Sequence, residues 1–209
     1  MCHRIMPLRM DTLVQAMERQ KQTGHATVQF SGQEAVEAYP GMRVPLLLPD
    51  KTGALQVASL TWGLKPQSRG TSPISGLVFN TRLDTALDQM QKGYGMWHEA
   101  IRFGRCLVPV RWFYETSRSH RTISARTGKP VFAQYRFRVP GRQVFLLGGV
   151  VRGDHFSLVT TEPNNAVSAV HTRMPLVLGS GESQLWLGPD FSRLADRSSI
   201  GLAVEEAKR

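Results

Sequence analysis

The sequence predicts one domain of the α+β or mainly β class, and three observations support this prediction. The chain has 209 residues, of which 41% are apolar, enough to bury one hydrophobic core. About seven short apolar or alternating segments follow one another at hairpin-like spacing, with short helical patterns between them. Internal repeats are absent, which excludes a solenoid. We therefore expect a single compact domain over residues 1–209.

Seven segments are predicted to be strands because apolar, β-branched or alternating residues dominate them and turn residues bound them. They span residues 43–48, 55–62, 105–114, 130–136, 144–151, 156–161 and 174–178. The first two flank the turn residues of 49–53, which predicts a hairpin. Pro109 interrupts the third strand, and a proline at this point indicates an edge strand or a bulge.

Short helices are predicted where apolar residues recur at helical spacing. They span residues 11–20, 83–91, 96–103, 182–187 and 191–197, with a helical turn over 164–169. Residues 22–42 and 117–129 have no such pattern and are expected to be irregular. The basic segment 65–76 is rich in Pro, Gly and Ser, and it fits either a plain connector or a flap that contacts a substrate. The C-terminal tail is expected to be frayed.

The charge of the chain indicates polyanionic partners. Lys and Arg number 26 against 16 Asp and Glu, which gives a formal net charge of +10 and a pI near 10.3. Such an excess favours nucleic acid or an anionic membrane surface, although net charge also serves solubility alone. No apolar run approaches the roughly 18 residues of a membrane span, and residues 1–10 lack the apolar stretch of a signal peptide. We expect a cytoplasmic, nucleoid-associated protein without a membrane segment.

Cysteine content and known motifs exclude several classes of protein. Cys2 and Cys106 are the only cysteines, too few for a disulfide scaffold, and neither lies in a pattern with zinc-ligand spacing. The sequence contains no G-x-G-x-x-G, P-loop, G-x-S-x-G or H-E-x-x-H motif. The missing motifs argue against the commonest nucleotide-binding, hydrolase and zinc-dependent classes. The low cysteine content fits a reduced intracellular setting.

Cys2 has an unusual chemical position directly after the initiator methionine. Removal of Met1 gives Cys2 a free α-amine and a thiol on adjacent carbons. This pair can attack one aldehyde carbon twice and close a five-membered thiazolidine ring, which no internal residue can do. The α-amine also titrates near about 7.7–8.0, so much of it is nucleophilic at neutral pH. The plainer interpretation is an accidental cysteine in an unstructured terminus.

Three further segments have polar residues beside apolar strands. Glu115 follows three aromatic residues, whose packing would desolvate the carboxyl, raise its pKa and suit it to acid–base chemistry. His171 precedes an apolar strand and is a candidate proton shuttle. Asn80 and Arg82 are one residue apart, so both side chains face the same side of an extended segment. Their plainer interpretations are an exposed strand-end glutamate, a structural histidine and a solvated strand end.

Several motifs occur in a fixed order over almost the whole chain. They are M-C-x-R at 1–4, A-Y-P-G at 38–41, W-G-L-K-P at 62–66, F-N-T-R-L-D-T at 79–85, R-C-L-V-P-x-x-W-F-Y-E at 105–115, T-T-E-P-N at 160–164 and H-T-R-M-P at 171–175. Together they resemble the SRAP family, the SOS response-associated peptidase domain. The resemblance implies a mixed α+β domain with short peripheral helices around a twisted, barrel-like antiparallel β core.

The resemblance also implies a function and a set of site residues. Cys2 is expected to form a covalent thiazolidine crosslink with the ring-opened aldehyde of an abasic site in single-stranded DNA, after Met1 is removed. Asn80 is expected to position the N-terminus, Glu115 to transfer protons, and His171 to act in sugar-ring opening and crosslink reversal. The residues expected to hold flanking phosphates are Arg4, Arg82 and Arg173. The implied protein is a monomer that needs no metal and no organic cofactor.

Departures from the family pattern leave other functions open. His3 stands where the family usually has Gly, so it is expected to crowd the Cys2 pocket or to add a titratable group there. Glu37 or a neighbour stands where an Asn is common, and the Trp that usually follows the site glutamate is missing. One alternative is a non-covalent single-stranded DNA-binding module that has lost crosslinking. Another is a Cys-dependent (auto)peptidase, although no Ser/His/Asp arrangement is present.

Overall fold

The computed structural model describes residues 2–23, 36–65 and 76–207. In these ranges the strands are β1 (Arg4–Pro7), β2 (Arg43–Pro49), β3 (Leu55–Trp62), β4 (Asn80–Arg82), β5 (Arg105–Ile123), β6 (Pro130–Arg138), β7 (Phe145–Arg152), β8 (His155–Thr161), β9 (Met174–Pro175), β10 (Val177–Leu178) and β11 (Ala203–Ala207). The helices are α1 (Met10–Thr23), α2 (Leu83–Lys92), α3 (His98–Phe103), α4 (Asn165–Ser168), α5 (Glu182–Leu187) and a 3₁₀ helix (Phe191–Ala195). The segment 22–42, which is predicted to be irregular, and the predicted loop 65–76 fall largely outside the described residues.

One sheet curls into a ring of strands. β3 pairs with β2, β2 with β5, β5 with β7, β7 with β8, and β8 pairs back with β3. The β3–β8 contact is parallel, whereas the other four are antiparallel. With short helices packed around it, this sheet confirms the predicted mixed α+β class with a barrel-like core. No helix among the described residues is long and apolar enough to cross a membrane.

Two hydrophobic clusters lie on opposite faces of the ring. The first includes buried residues from all five ring strands, such as Val44, Trp62, Val108, Leu147 and Phe156, so it fills the inside. The second joins the outer face of the sheet to the helices. Alternation along a strand explains the division, because successive side chains of β5 point to opposite faces. Cys2 belongs to the first cluster, so its side chain lies at the inside of the ring.

The prediction that Pro109 marks an edge strand is wrong. β5 pairs with β7 on one side, and on the other side with β2 at Leu107 and with β1 from Val110 onward. Pro109 lies where one partner replaces the other, and its carbonyl accepts a hydrogen bond from the Leu8 backbone at 3.1 Å. The alternative of a bulge fits better, since the β1–β5 register shifts between Met6 and Pro7.

Two segments expected to lack regular structure form strands. β5 continues to Ile123 and pairs with β6 over part of residues 117–123, which sequence patterning assigns to a loop. The expected frayed tail contains β11, which pairs with β6. Both segments are largely exposed, so neither has the buried face that produces an apolar alternation. The predicted last strand is also divided, into β9 and β10.

Candidate active site at the start of the N-terminal strand

Cys2 lies just before β1 and is fully buried. The antiparallel pairing of Arg4 with Tyr114 draws the N-terminal segment across β5 and into the inner core. The Cys2 thiol donates a long hydrogen bond to the carbonyl of Arg4 at 3.6 Å. Burial raises the pKa of this thiol above its ordinary value, and the carboxylate of Glu115 raises it further. The thiol is therefore protonated at neutral pH and needs a base to react.

Asn80 fixes the backbone of Cys2. It is the first residue of β4, which runs parallel to β8, and its Nδ2 donates a hydrogen bond to the Cys2 carbonyl at 2.9 Å. Its other amide atom, Oδ1, is buried and accepts no hydrogen bond from the described residues. A buried acceptor without a donor costs free energy. The amide therefore orients the N-terminal residue and keeps one acceptor available at the same point.

Glu115 is fully buried on β5 and interacts electrostatically with the Cys2 thiol. Burial raises the pKa of its carboxyl to about 7. The rise in pKa predicted from its aromatic neighbours is thus confirmed. A carboxyl with this pKa exists in both protonation states near neutral pH, so it can donate and accept protons in one reaction cycle.

His171 lies between α4 and β9 and is half-buried. Its Nδ1 is 3.1 Å from the backbone nitrogen of Arg173 and 3.2 Å from the carbonyl oxygen of the same residue. Burial lowers the pKa of the imidazole, and nearby positive groups, including Arg118 and His3, lower it further. His171 is therefore neutral near pH 7 and able to accept a proton. Its interaction with His3 agrees with the expectation of an added titratable group beside Cys2.

Arg4, expected to hold phosphate, is engaged by a carboxylate. Its Nε donates to Glu37 at 2.8 Å, a second nitrogen donates to the same carboxylate, and Nη1 donates to Gln134. Glu37 also accepts hydrogen bonds from Tyr114 at 2.8 Å and Tyr39 at 3.0 Å. Burial opposes ionisation of Glu37, but these hydrogen bonds outweigh it and hold the pKa of the carboxyl below its ordinary value.

Sequence reasoning missed the role of Glu37 because its partner lies 33 residues away in the chain. The two residues meet through a bridge between Ile5 and Ala38, whose backbone groups exchange hydrogen bonds of 3.1 and 2.9 Å. The departure from the family Asn at this turn was the available signal. Glu37 supplies a polar contact there that locks the first strand through Arg4.

Arg82 and Arg173, the other two expected phosphate ligands, meet at Asp84. Arg82 forms an exposed ion pair with Asp84 at 2.7 Å, and Arg173 approaches the second oxygen of this carboxylate at 3.4 Å. Arg173 is buried and also pairs with Glu162. Each of the three expected phosphate ligands thus has a carboxylate partner. Within the part of the chain that the structure describes, no three His, Cys, Asp or Glu side chains are close enough to hold a metal ion.

Solved structures share this fold. A phage-related protein from Bordetella bronchiseptica is 20% identical with a TM-score of 0.64, and the match covers 100% of this chain and 95% of that one. A second protein from the same organism is 16% identical with a TM-score of 0.63, and both chains are covered completely. A protein from Bacteroides thetaiotaomicron is 19% identical with a TM-score of 0.60 over 82% of this chain and 77% of that one.

Curated relatives and a family profile complete the comparison. Abasic site processing proteins YoaM and YoqW from Bacillus subtilis (strain 168) are each 24% identical over 143 residues, which is 64% of this chain. The match covers 57% of YoaM and 58% of YoqW, so the chain spans less than two thirds of their length. The profile described as "SOS response associated peptidase (SRAP)" matches residues 1–207. The chain therefore belongs to the SRAP family.

Proposed function

We propose that this protein processes abasic sites in single-stranded DNA by covalent capture through Cys2. The central observation is that an amide and an acid meet at Cys2. Asn80 donates a hydrogen bond to the Cys2 carbonyl at 2.9 Å, and the carboxyl of Glu115, whose pKa is raised, interacts with the Cys2 thiol. The names of the curated relatives and the excess of positive charge support this substrate. The proposal requires removal of Met1, which gives Cys2 a free α-amine.

The first step is imine formation. The α-amine of Cys2 attacks the aldehyde carbon of the ring-opened abasic sugar, and a carbon–nitrogen bond forms. The proton that the nitrogen loses passes to the carbonyl oxygen, which gives a carbinolamine. Protonated Glu115 then donates a proton to this hydroxyl group, which leaves as one water molecule and leaves a protonated imine, whose nitrogen keeps its hydrogen, beside ionised Glu115. Asn80 holds the Cys2 backbone, so the amine stays aligned with the carbon.

The second step closes the ring. Ionised Glu115 removes the proton from the Cys2 thiol, and the sulfur adds to the imine carbon. The electron pair of the carbon–nitrogen double bond moves to the protonated nitrogen, which becomes a neutral amine, and Glu115 keeps the proton from the thiol. The aldehyde carbon then has single bonds to nitrogen and to sulfur in a thiazolidine, with a net loss of one water. Glu115 returns to its starting state, which is why a pKa near 7 suits it.

The remaining site residues have supporting roles. A neutral His171 can accept the hydroxyl proton of the closed sugar while the bond between that carbon and the ring oxygen breaks, and its conjugate acid can return the proton to the ring oxygen, which leaves the aldehyde. The same conjugate acid can promote reversal. The expected phosphate ligands are Arg4, Arg82 and Arg173. These steps use only an amine, a thiol, a carboxyl, an amide and an imidazole, so they call for no metal or organic cofactor. We place the protein in the cytoplasm, associated with the nucleoid, as a monomer.

A denaturing gel tests this function. Purified protein is incubated with an oligonucleotide that has one abasic site, then heated in detergent and separated. We expect a retained protein–DNA band whose intact mass equals Met1-free protein plus DNA minus one water. Cys2→Ser should remove the band, because an oxygen in place of sulfur does not form the stable ring. Cys106→Ala is the matched control and should keep it, since Cys106 is the other buried thiol.

The outcomes separate the alternatives. A salt-sensitive shift on a native gel, without any band that survives denaturation, would show a non-covalent binding module. An autopeptidase would show in the intact mass of the expressed protein, with Met1 lost from the wild type and retained in Glu115→Gln made in the same cells. Loss of Met1 from both proteins would assign the processing to the host.

A further inference from the structure

A bulge in β5 lies two residues beyond Glu115. The β5–β6 register runs from Thr116 opposite Gln134 to Arg121 opposite Phe132. Four residues of β5, 117–120, therefore stand opposite one residue of β6, which is Ala133. Bulges beside active sites commonly redirect a side chain. This one projects residues 118–120 outward, and all three are exposed.

Internal hydrogen bonds fix the shape of the bulge. The hydroxyl of Ser117 accepts hydrogen bonds from the backbone nitrogens of Ser119 at 3.3 Å and His120 at 2.9 Å. The Nδ1 atom of His120 is 2.5 Å from the hydroxyl oxygen of Tyr135. Tyr135 pairs directly with Glu115 across the two strands, so both side chains point to the same face. The contact with Tyr135 thus anchors the bulge to β6, at the residue that pairs with the proposed acid.

Arg118 extends from this bulge towards His171. Its Nη1 donates a hydrogen bond to the hydroxyl of Thr172 at 3.3 Å, and its charge contributes to the lowered pKa of His171. The guanidinium therefore lies at the rim of the proposed site, between the bulge and the segment before β9. The hydrogen bond to the exposed hydroxyl of Thr172 uses only one of the five N–H donors of this guanidinium.

Arg118 differs from the three arginines that the family resemblance singles out. Arg4 pairs with Glu37, Arg82 with Asp84, and Arg173 with Glu162. Among the described residues no carboxylate forms an ion pair with Arg118, and residues 116–153 contain neither Asp nor Glu. The charge of Arg118 is therefore available to an anion from solution, whereas a phosphate must displace a carboxylate from each of the others.

We infer that Arg118 binds the phosphate of a nucleotide flanking the abasic site and thereby aligns the DNA strand with Cys2. The inference deepens the proposed function and rests on it. A guanidinium binds phosphate with two parallel hydrogen bonds, which restrain orientation as well as position. Its location at the rim, on a bulge of the strand that also carries Glu115, suits contact with the neighbouring nucleotide and not with the sugar that reacts.

A binding cycle tests the inference without covalent chemistry. The DNA contains a tetrahydrofuran abasic analogue, which has no aldehyde, and affinity is measured by fluorescence anisotropy at several salt concentrations. Arg118→Gln should weaken binding by about 5- to 10-fold and should reduce the slope of log K against log salt by about 0.7, the value for one phosphate contact on a single strand. Arg126→Gln is the matched control, because it removes the same charge from an exposed position in the turn of the same hairpin.

Modified DNA identifies the phosphate. Oligonucleotides with a neutral methylphosphonate at one linkage on either side of the analogue are compared with unmodified DNA. At the contacted linkage, the penalty of Arg118→Gln should vanish, while Arg118→Lys should recover part of the affinity on unmodified DNA. Thermal unfolding of each variant should match that of the wild type.

Each outcome has a definite meaning. Equal penalties for Arg118→Gln and Arg126→Gln, or a penalty that persists on every methylphosphonate, would overturn the inference while wild-type crosslinking still upholds the proposed function. A wild type that neither binds the analogue nor crosslinks true abasic DNA would overturn both.

Discussion

Cys2 and Cys106 are both fully buried, and burial raises the pKa of both thiols above the ordinary value. Their surroundings differ. The Cys106 sulfur lies against Gly149 so closely that an added Cβ there would be 2.7 Å away. Cys2 instead has the carboxyl of Glu115 beside its thiol and the amide of Asn80 on its carbonyl.

The difference shows what burial does to a cysteine. A thiol with a raised pKa is a poor nucleophile, so burial alone makes Cys106 a small apolar side chain of the core. At Cys2, the same burial acts on a carboxyl as well and brings the pKa of Glu115 to about 7. The environment that suppresses the thiol thus creates the base that can activate it. The predictions below test this contrast, beginning with the largest effect.

Glu115→Gln should remove most of the proposed difference in reactivity between Cys2 and Cys106. We expect the rate of crosslink formation at pH 7 to fall by about 10²- to 10⁴-fold, the usual contribution of a positioned acid–base group. The wild-type rate should also show a titration near pH 7 that the variant lacks. Single-turnover gels across pH 5–9 measure both effects. Glu99→Gln, which alters an exposed carboxylate on α3, should behave like the wild type.

The same substitution should change how stability depends on pH. The folded-state pKa of Glu115 is about 7 against an ordinary 4.5, so the folded chain holds a proton that the unfolded chain releases. Stability is therefore full below about pH 4.5 and declines as pH rises towards 7. At about 1.4 kcal/mol per pKa unit, the decline is roughly 3 kcal/mol. Urea unfolding at pH 5 and pH 8 should show it in the wild type and not in Glu115→Gln; parallel curves would refute the buried-acid assignment.

Much of the fold could be predicted because buried strands leave a pattern in the sequence. β3 and α5 match their predicted bounds, since each packs apolar side chains in or against a hydrophobic cluster. The outer part of β5 and the whole of β11 could not be predicted, because exposed strands are held by backbone pairing that polar residues do not encode. The same limit explains why sequence patterning assigns the bulge around Arg118 to a loop.

The site shows a similar division. The raised pKa of Glu115 followed from its aromatic neighbours in the sequence, which remain its neighbours in the strand. The contact of Asn80 with Cys2 joins residues 78 positions apart and came only from the family resemblance. The carboxylate partners of Arg4 and Arg173 were not predicted, because ion pairs between distant segments depend on the register of the sheet.

Asn80→Ala should test whether orientation, in addition to acidity, separates Cys2 from Cys106. Loss of the 2.9 Å hydrogen bond frees the carbonyl of Cys2 and lets the reacting amine move. A misplacement of about 1 Å can cost ~100-fold, so we expect the crosslinking rate to fall by roughly 10- to 100-fold. The titration near pH 7 should persist, since Glu115 remains. A variant that lost the titration instead would assign Asn80 to proton transfer.

Gly149→Ala should act mainly on Cys106, whose sulfur is the nearest atom to the new methyl group, with the Ser157 carbonyl oxygen next at 3.3 Å. The new methyl group would clash with the Cys106 sulfur, and overpacking of this kind costs about 1–3 kcal/mol. In a Cys106→Ala background the same substitution should cost distinctly less, because the sulfur is gone. Urea unfolding of the wild type, the two single variants and the double variant gives the coupling free energy between positions 106 and 149. Crosslinking should survive in all of them, and its loss would show that Cys106 contributes to the site.

Glu37→Gln should have the smallest effect on the free energy of unfolding. The contribution of Glu37 to stability should change with pH in the opposite direction to that of Glu115. Burial raises the pKa of Glu37, but the groups that donate hydrogen bonds to its carboxylate lower the pKa by more. The pKa of Glu37 therefore lies below the ordinary value. Its contribution is present at neutral pH and is lost as pH falls below about 4.5, the reverse of Glu115. We expect a loss of about 1 kcal/mol at pH 7, typical of a half-buried charged hydrogen bond, and a flatter acid limb.

Tyr114 reports on this substitution directly. Burial raises the pKa of its phenol to about 12, and the hydrogen bond to Glu37 contributes to the same rise. Replacing the carboxylate by a neutral amide should lower this pKa, which ultraviolet titration can follow, while the titration of the crosslinking rate near pH 7 stays in place. If that titration moved with Glu37, the pKa of the acting acid would depend on the Arg4 network, and burial of Glu115 would no longer suffice to explain the reactivity proposed for Cys2 and not for Cys106.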